Sequence, residues 1–67
     1  IELWIDVKDT KGKYGKREAD RWIEIKQAIT EKNPKTLFAT FSQNGYTSSA
    51  KRLLVSNGVY VLKGEEG

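Results

Sequence analysis

Two short apolar runs, LWIDV near the start and TLFATFS in the middle, are separated by KREADRWIEIKQAITEK. That separation limits what the chain can become. Within it, Trp22, Ile25 and Ile29 recur at helical spacing, with Ala19 and Ala28 beside them, so residues 16 to 32 are predicted to form an amphipathic helix. A strand joined to the next strand through a helix is a crossover, which lays the two side by side in parallel rather than as a hairpin. Asn33 and Pro34 end the helix, because proline disfavours helical geometry for the residue before it and cannot continue the ladder.

The second half repeats the plan. QNGY turns the chain, with Asn44-Gly45 supplying backbone angles that other residues resist. Thr47 or Ser48 is placed to cap a second helix, whose apolar stripe is Ala50, Leu53 and Leu54, and Asn57-Gly58 stops it. VYVL is the last strand, and GEEG is expected to fray. The expected fold is therefore α/β, a β-α-β-α-β unit with a small, largely parallel sheet. TLFATFS, nearly continuous in apolar residues, is expected at its centre, covered on both faces.

Residues 1–67 make a single domain, and a chain of this length buries only about 60% of the surface it exposes when unfolded. With no cysteine it has no disulfides, and without histidine or cysteine it lacks the usual zinc ligands. Three strands and two helices are few for a sheet that needs cover on both faces. The expectation is a fragment, beginning at Ile1 rather than methionine, that is completed by a preceding N-terminal segment or by a second copy as a homodimer. No apolar run of 18 residues and no signal-peptide pattern is present, so no membrane partner and a soluble, cytoplasmic location are expected.

Chemistry concentrates near the start. On a strand, Leu3, Ile5 and Val7 point one way and Glu2, Trp4, Asp6 and Lys8 the other. A solvated outer face explains Asp6 and Lys8 plainly; a metal-dependent site for phosphodiester cleavage explains them more sharply. Trp4 shares their face and is expected to pack under a neighbouring helix. The stretch KDTKGKYGKR follows at once, five cations against one acid. Its Lys11, Lys13, Lys16 and Arg17 form a basic loop suited to a phosphate backbone. A second acid-x-lysine pair, Glu24 and Lys26, lies within the predicted helix. Two positions on a helix are about 200° apart and cannot converge on one ligand, whereas Asp6 and Lys8 on a strand can.

Asp6-Val7-Lys8 on a strand, followed by a basic loop, a helix and a buried strand, resembles the second half of the PD-(D/E)XK nucleases, the restriction endonuclease-like fold. LFATFSQNGYTSSAKRLLVSNGVYVL is similar to the strand, polar turn, helix and terminal strand of its restriction-type and resolvase-type members. The resemblance implies the C-terminal portion of a metal-dependent DNA endonuclease, with Mg²⁺ or Mn²⁺ as cofactor and DNA as partner. Asp6 would be a catalytic metal ligand, because carboxylates suit hard cations, and Lys8 a catalytic cation steadying charge on the phosphate. The family's other acid belongs to a preceding strand. Glu2 cannot replace it, lying four residues and about 13 Å from Asp6. The chain alone is therefore expected to be inactive. A non-catalytic α/β module that binds nucleic acid or protein, with Asp6 and Lys8 merely solvated, is the alternative reading.

Overall fold

A computed structural model describes residues 1–9 and 11–64. Its elements run β1 (Leu3–Lys8), α1 (Lys16–Lys32), β2 (Leu37–Ser42), α2 (Ser48–Ser56) and β3 (Tyr60–Lys63). The three strands form one parallel sheet in the order β1-β2-β3, so the α/β expectation and the central place of β2 both hold. Asp6 pairs with Thr40 and Lys8 with Ser42, while Thr40 and Ser42 pair onward with Val61 and Lys63.

Local chemistry sets the helix ends. Gly15 enters α1 in extended geometry, and Glu18 Oε1 reaches back to accept from its N–H at 3.3 Å. A carboxylate in the first turn also complements the helix dipole. At the other end Asn33 N–H bonds Ile29 O at 2.8 Å before Pro34 ends the run. Thr47 caps α2, its Oγ1 accepting from Ala50 N–H at 3.2 Å. Gly58, at φ +75°, carries the chain out of α2 through left-handed backbone that a β-carbon would strain.

The faces of the sheet are the reverse of what the residues of β1 suggest. Both helices lie on the side of Trp4, Asp6 and Lys8, shared with Phe38, Thr40, Ser42 and Val61; Trp22 of α1 meets the Phe38 ring edge-on at 5.7 Å. The apolar side of β1 stays bare: Leu3 is 58% exposed and Val7 59%, with Ile5, Leu37 and Leu62 exposed beside them. The cause is topological. Two right-handed crossovers between successive neighbours put both helices on the same side, and pairing with β2 decides which residues of β1 face it. The apolarity of an edge strand has no vote.

The core lies between that side and the helices: Ala19, Trp22, Ile23, Phe38, Ala50, Leu54 and Val59, with Tyr14 from the loop before α1. Ile25, Ile29 and Leu53 pack against it partly buried, Ala28 is exposed, and Ile23 is buried although it lies off the expected stripe. Cover on both faces of β2 is likewise not found, since Leu37 is exposed; Ala39 is sheltered as a small side chain in the row between Ile5 and Tyr60. Trp4 stacks beside Phe38 at 6.5 Å but remains 41% exposed, at the margin rather than beneath a helix. Of the expected frayed end, Gly64 is instead buried and donates to Ser42 O at 3.1 Å, and residues 65–67 lie outside those described. Among the described residues no helix is long and apolar enough to cross a membrane.

This asymmetry is measurable by urea denaturation. Leu54→Ala, at a fully buried position, is expected to cost about 2–5 kcal/mol, whereas Leu3→Ala on the bare face should change stability by about 0.5 kcal/mol or less. Comparable losses would put the core on the wrong side of the sheet.

Candidate functional site

Strand alternation brings Asp6 and Lys8 to the same side of the sheet, near the carboxyl end of β1, the end at which open parallel sheets receive ligands. They line an open cavity of about 330 Å³ together with Tyr14, Glu18, Arg21 and Trp22. The helix-covered side is divided along its length. Trp4 and Phe38 occupy the amino half, and Asp6, Lys8, Thr40 and Ser42 the carboxyl half. The buried hydroxyls there have partners: Ser42 Oγ donates to Gly45 O at 2.6 Å, and Thr40 Oγ1 lies 3.0 Å from the Tyr46 hydroxyl.

Tyr14 organises the site. Its side chain is 1% exposed, and its hydroxyl lies 2.7 Å from Asp6 Oδ2 and 3.3 Å from Glu18 O, donating chiefly to the carboxylate. Burial above all, then the bond to Asp6, pushes the phenol far above its ordinary value, so it remains a donor throughout the working range of pH. Among the described residues Asp6 Oδ1 has no hydrogen-bond partner. The loop backbone is held as firmly: Tyr14 N–H bonds Gly45 O at 2.9 Å, Thr47 N–H bonds Tyr14 O at 3.0 Å, and the Tyr14 and Tyr46 rings meet at 5.4 Å.

Lys8 is held by α1. Its ammonium lies 3.0 Å from Glu18 Oε2, with both side chains partly shielded from water. Glu18 therefore uses one oxygen to close the start of the helix and the other to place the lysine. Arg21 lies one turn further along α1, lines the same cavity, and makes no ion pair among the described residues.

Of the expected basic loop, none of Lys11, Lys13, Lys16 or Arg17 lines the Asp6 cavity. All four are exposed, and Lys16 is spent on Asp20 one turn along α1, at 3.7 Å. Glu24 and Lys26 lie on α1 as expected, Glu24 exposed and Lys26 5.8 Å from the centre of the Phe38 ring, towards the amino half of the sheet. Tyr14, Glu18 and Arg21 were not evident from the sequence. A lone aromatic residue inside KGKYGK was the one available sign that the loop is anchored.

As a metal site the arrangement is partial. Asp6 Oδ1 is a suitable hard donor, but both Glu18 oxygens are engaged, and among the described residues no group of three or more candidate ligands exists. A single carboxylate fits the habit of Mg²⁺, which keeps several waters and takes further oxygens from phosphate. Comparison with known proteins finds no matching family model, no matching curated protein and no matching solved structure.

The buried phenol predicts alkaline sensitivity. Below the ordinary tyrosine pKa of 10.0 both folded and unfolded chains hold the proton; above it the unfolded chain releases it and the folded one does not. Stability contributed by Tyr14 is thus complete below pH 10 and falls as pH rises beyond it. Tyr14→Phe should cost about 1.5–3 kcal/mol at pH 7 through the lost bond to a carboxylate, and should flatten the decline in urea midpoint between pH 9.5 and 11.5. An unchanged alkaline slope would contradict this account.

Proposed function

We propose that residues 1–67 form the C-terminal, lysine-bearing part of a metal-dependent DNA endonuclease of the PD-(D/E)XK type. The observation that carries this reading is the meeting of Asp6 and Lys8 in one cavity at the carboxyl end of β1, each held by its own partner. Tyr14 orients the carboxylate and leaves Oδ1 to face a hard cation such as Mg²⁺ or Mn²⁺. A cation held there would polarise a phosphoryl oxygen and acidify an attacking water. Glu18 keeps the Lys8 ammonium beside the cavity, where a fixed positive charge offsets negative charge growing on the phosphate. Arg21 offers a guanidinium able to take two phosphate oxygens at once.

One observation favours the non-catalytic alternative. The bond from Lys8 to Glu18 can be read as simple reinforcement of the first turn of α1, in a domain that binds nucleic acid or protein without cleaving it. The two readings diverge on substitution.

In the gene product that carries residues 1–67, Asp6→Asn should lower Mg²⁺ affinity in titration calorimetry and abolish plasmid cleavage while leaving DNA binding in place. Lys8→Ala should leave metal affinity intact yet slow cleavage by about 10²–10³-fold. Glu24→Gln and Lys26→Ala, the same pattern on a helix, should matter little. The 67 residues alone, lacking a further acid, should not cleave. Full activity in Asp6→Asn, or loss confined to the Glu24 and Lys26 variants, would end the nuclease reading.

A further inference from the structure

Part of the Asp6 cavity has no task in phosphate chemistry. Besides Asp6, Lys8 and Arg21 its lining includes Trp22 and Ile25, apolar groups that gain nothing from a phosphate. Val7 lines it too, although strand alternation turns that residue to the opposite side from Asp6 and Lys8, so the cavity opens onto the free edge of β1. The helix forms one continuous wall beside that edge. Glu18, Arg21, Trp22 and Ile25 share a face of α1, which begins next to Lys8 and runs towards the amino half of the sheet, where Trp22 meets Phe38 and Lys26 lies over the same ring. Phe38 is the strand partner of Trp4. Followed along α1, the edge of β1 leads from Asp6 and Lys8 to Trp4, which stands beyond the lining of the cavity itself.

Trp4 is fixed and half open. Its indole N–H donates to Glu2 Oε2 at 3.1 Å, and one flank of the ring rests beside Phe38, with centroids 6.5 Å apart and planes 21° from parallel. β1 is an edge strand, so no strand among the described residues stands on the other flank, and 41% of the residue is exposed. Asp6 lies on the same side two residues on, about 6.6 Å along the strand. A flat aromatic surface held at that distance from a phosphate site suits a nucleobase, because every base has a π-face and stacking is tolerant of sequence. A base inside a duplex has both faces covered by its neighbours and must leave the stack before it can lie on a side chain. We infer that the site takes an unpaired nucleotide, its phosphate beside Lys8 and Arg21 and its base laid along Trp22 and Ile25 towards Trp4, so that single-stranded DNA is preferred to duplex. This rests on the nucleic-acid reading above and deepens it, naming the form of the substrate and Trp4 as a residue that selects it.

The test uses the gene product that carries residues 1–67, in EDTA so that no strand is cut, with three fluorescein-labelled DNA probes: a 12-nucleotide single strand, its duplex, and a 12-nucleotide strand of abasic sites that keeps every phosphate and lacks every base. Anisotropy titrations over a range of KCl should show the single strand bound about tenfold more tightly than either of the other two. Trp4→Ala and Trp4→Leu should each weaken single-strand binding about tenfold, leave the abasic strand unaffected and keep the logarithmic salt slope, whereas Trp4→Phe should restore most of the affinity. Arg21→Ala should weaken the ordinary and abasic strands alike and lower that slope by about 0.7, as a lost phosphate contact on a single strand does. Circular dichroism verifies the folding of each variant, and the comparison of ordinary with abasic strands needs none. Equal binding of those two strands, or equal losses on both when Trp4 is replaced, would overturn the stacking site and leave a surface that reads phosphate alone. Tighter binding of the duplex than of the single strand would overturn it as well. Absence of binding to every probe would sink the nucleic-acid reading itself, and this inference with it. No readout involves cleavage, so a failed nuclease assay and a failed stacking site remain distinguishable.

Discussion

The hydroxyl of Tyr14 resting on Asp6 is the contact around which the carboxyl end of this sheet is arranged. An aromatic side chain from a glycine-containing, lysine-rich loop is almost wholly buried, so the loop cannot leave without opening a hole beside Ala19, Trp22 and Leu54. The polar end of that side chain lies on the acid of β1, and its main chain holds the loop that begins α2. Packing and electrostatics are thereby tied together. Disturbing the loop disturbs the acid, and a buried phenol aimed at a carboxylate keeps that acid in one orientation without competing for the second oxygen.

The division of the helix-covered side into an aromatic half and a polar half explains how so small a core tolerates two buried hydroxyls. Phe38, Trp22 and Ile23 exclude water at the amino half, and there the geometry needs only shape. At the carboxyl half, Thr40 and Ser42 are answered by Tyr46 and the Gly45 carbonyl, so polar groups cost little there, and Asp6 and Lys8 continue the same polar row on the neighbouring strand. The cavity takes its polar lining from a sheet that changes chemistry along its strands.

The order of elements was legible in the sequence because each signal is local: helical spacing across 16–32, a threonine cap before Ala50, an Asn-Gly stop after the second helix. The sides of the sheet were not. Leu3, Ile5 and Val7 look like core, but crossover handedness and pairing with β2 assign burial, and no window within β1 contains that information. The site divides in the same way. Asp6 and Lys8 could be named because a period of two residues brings them together on one strand. Glu18 and Arg21 reach the same cavity only when α1 folds back across the sheet. Lys16, counted with the basic loop, turned out to be satisfied one helical turn away by Asp20, a pairing that i,i+4 spacing does encode.

The backbone bridge at Tyr14 divides its loop into two stretches with different freedom to change length. At Lys11 and Gly12, an exposed bend, an added or removed residue alters only a closing distance, and the entropy of closure varies slowly with length. From Lys13 onwards the register is locked on both sides by Gly45 and Thr47. A single insertion between Lys13 and Tyr14 would shift Lys13 while the phenol stayed behind, and one just after Tyr14 would misplace Gly15 and detach Glu18 from Lys8. Variation in loop length among any descendants of this chain should therefore collect on the Asp9 side, leaving KYGK at a constant distance from the helix it introduces.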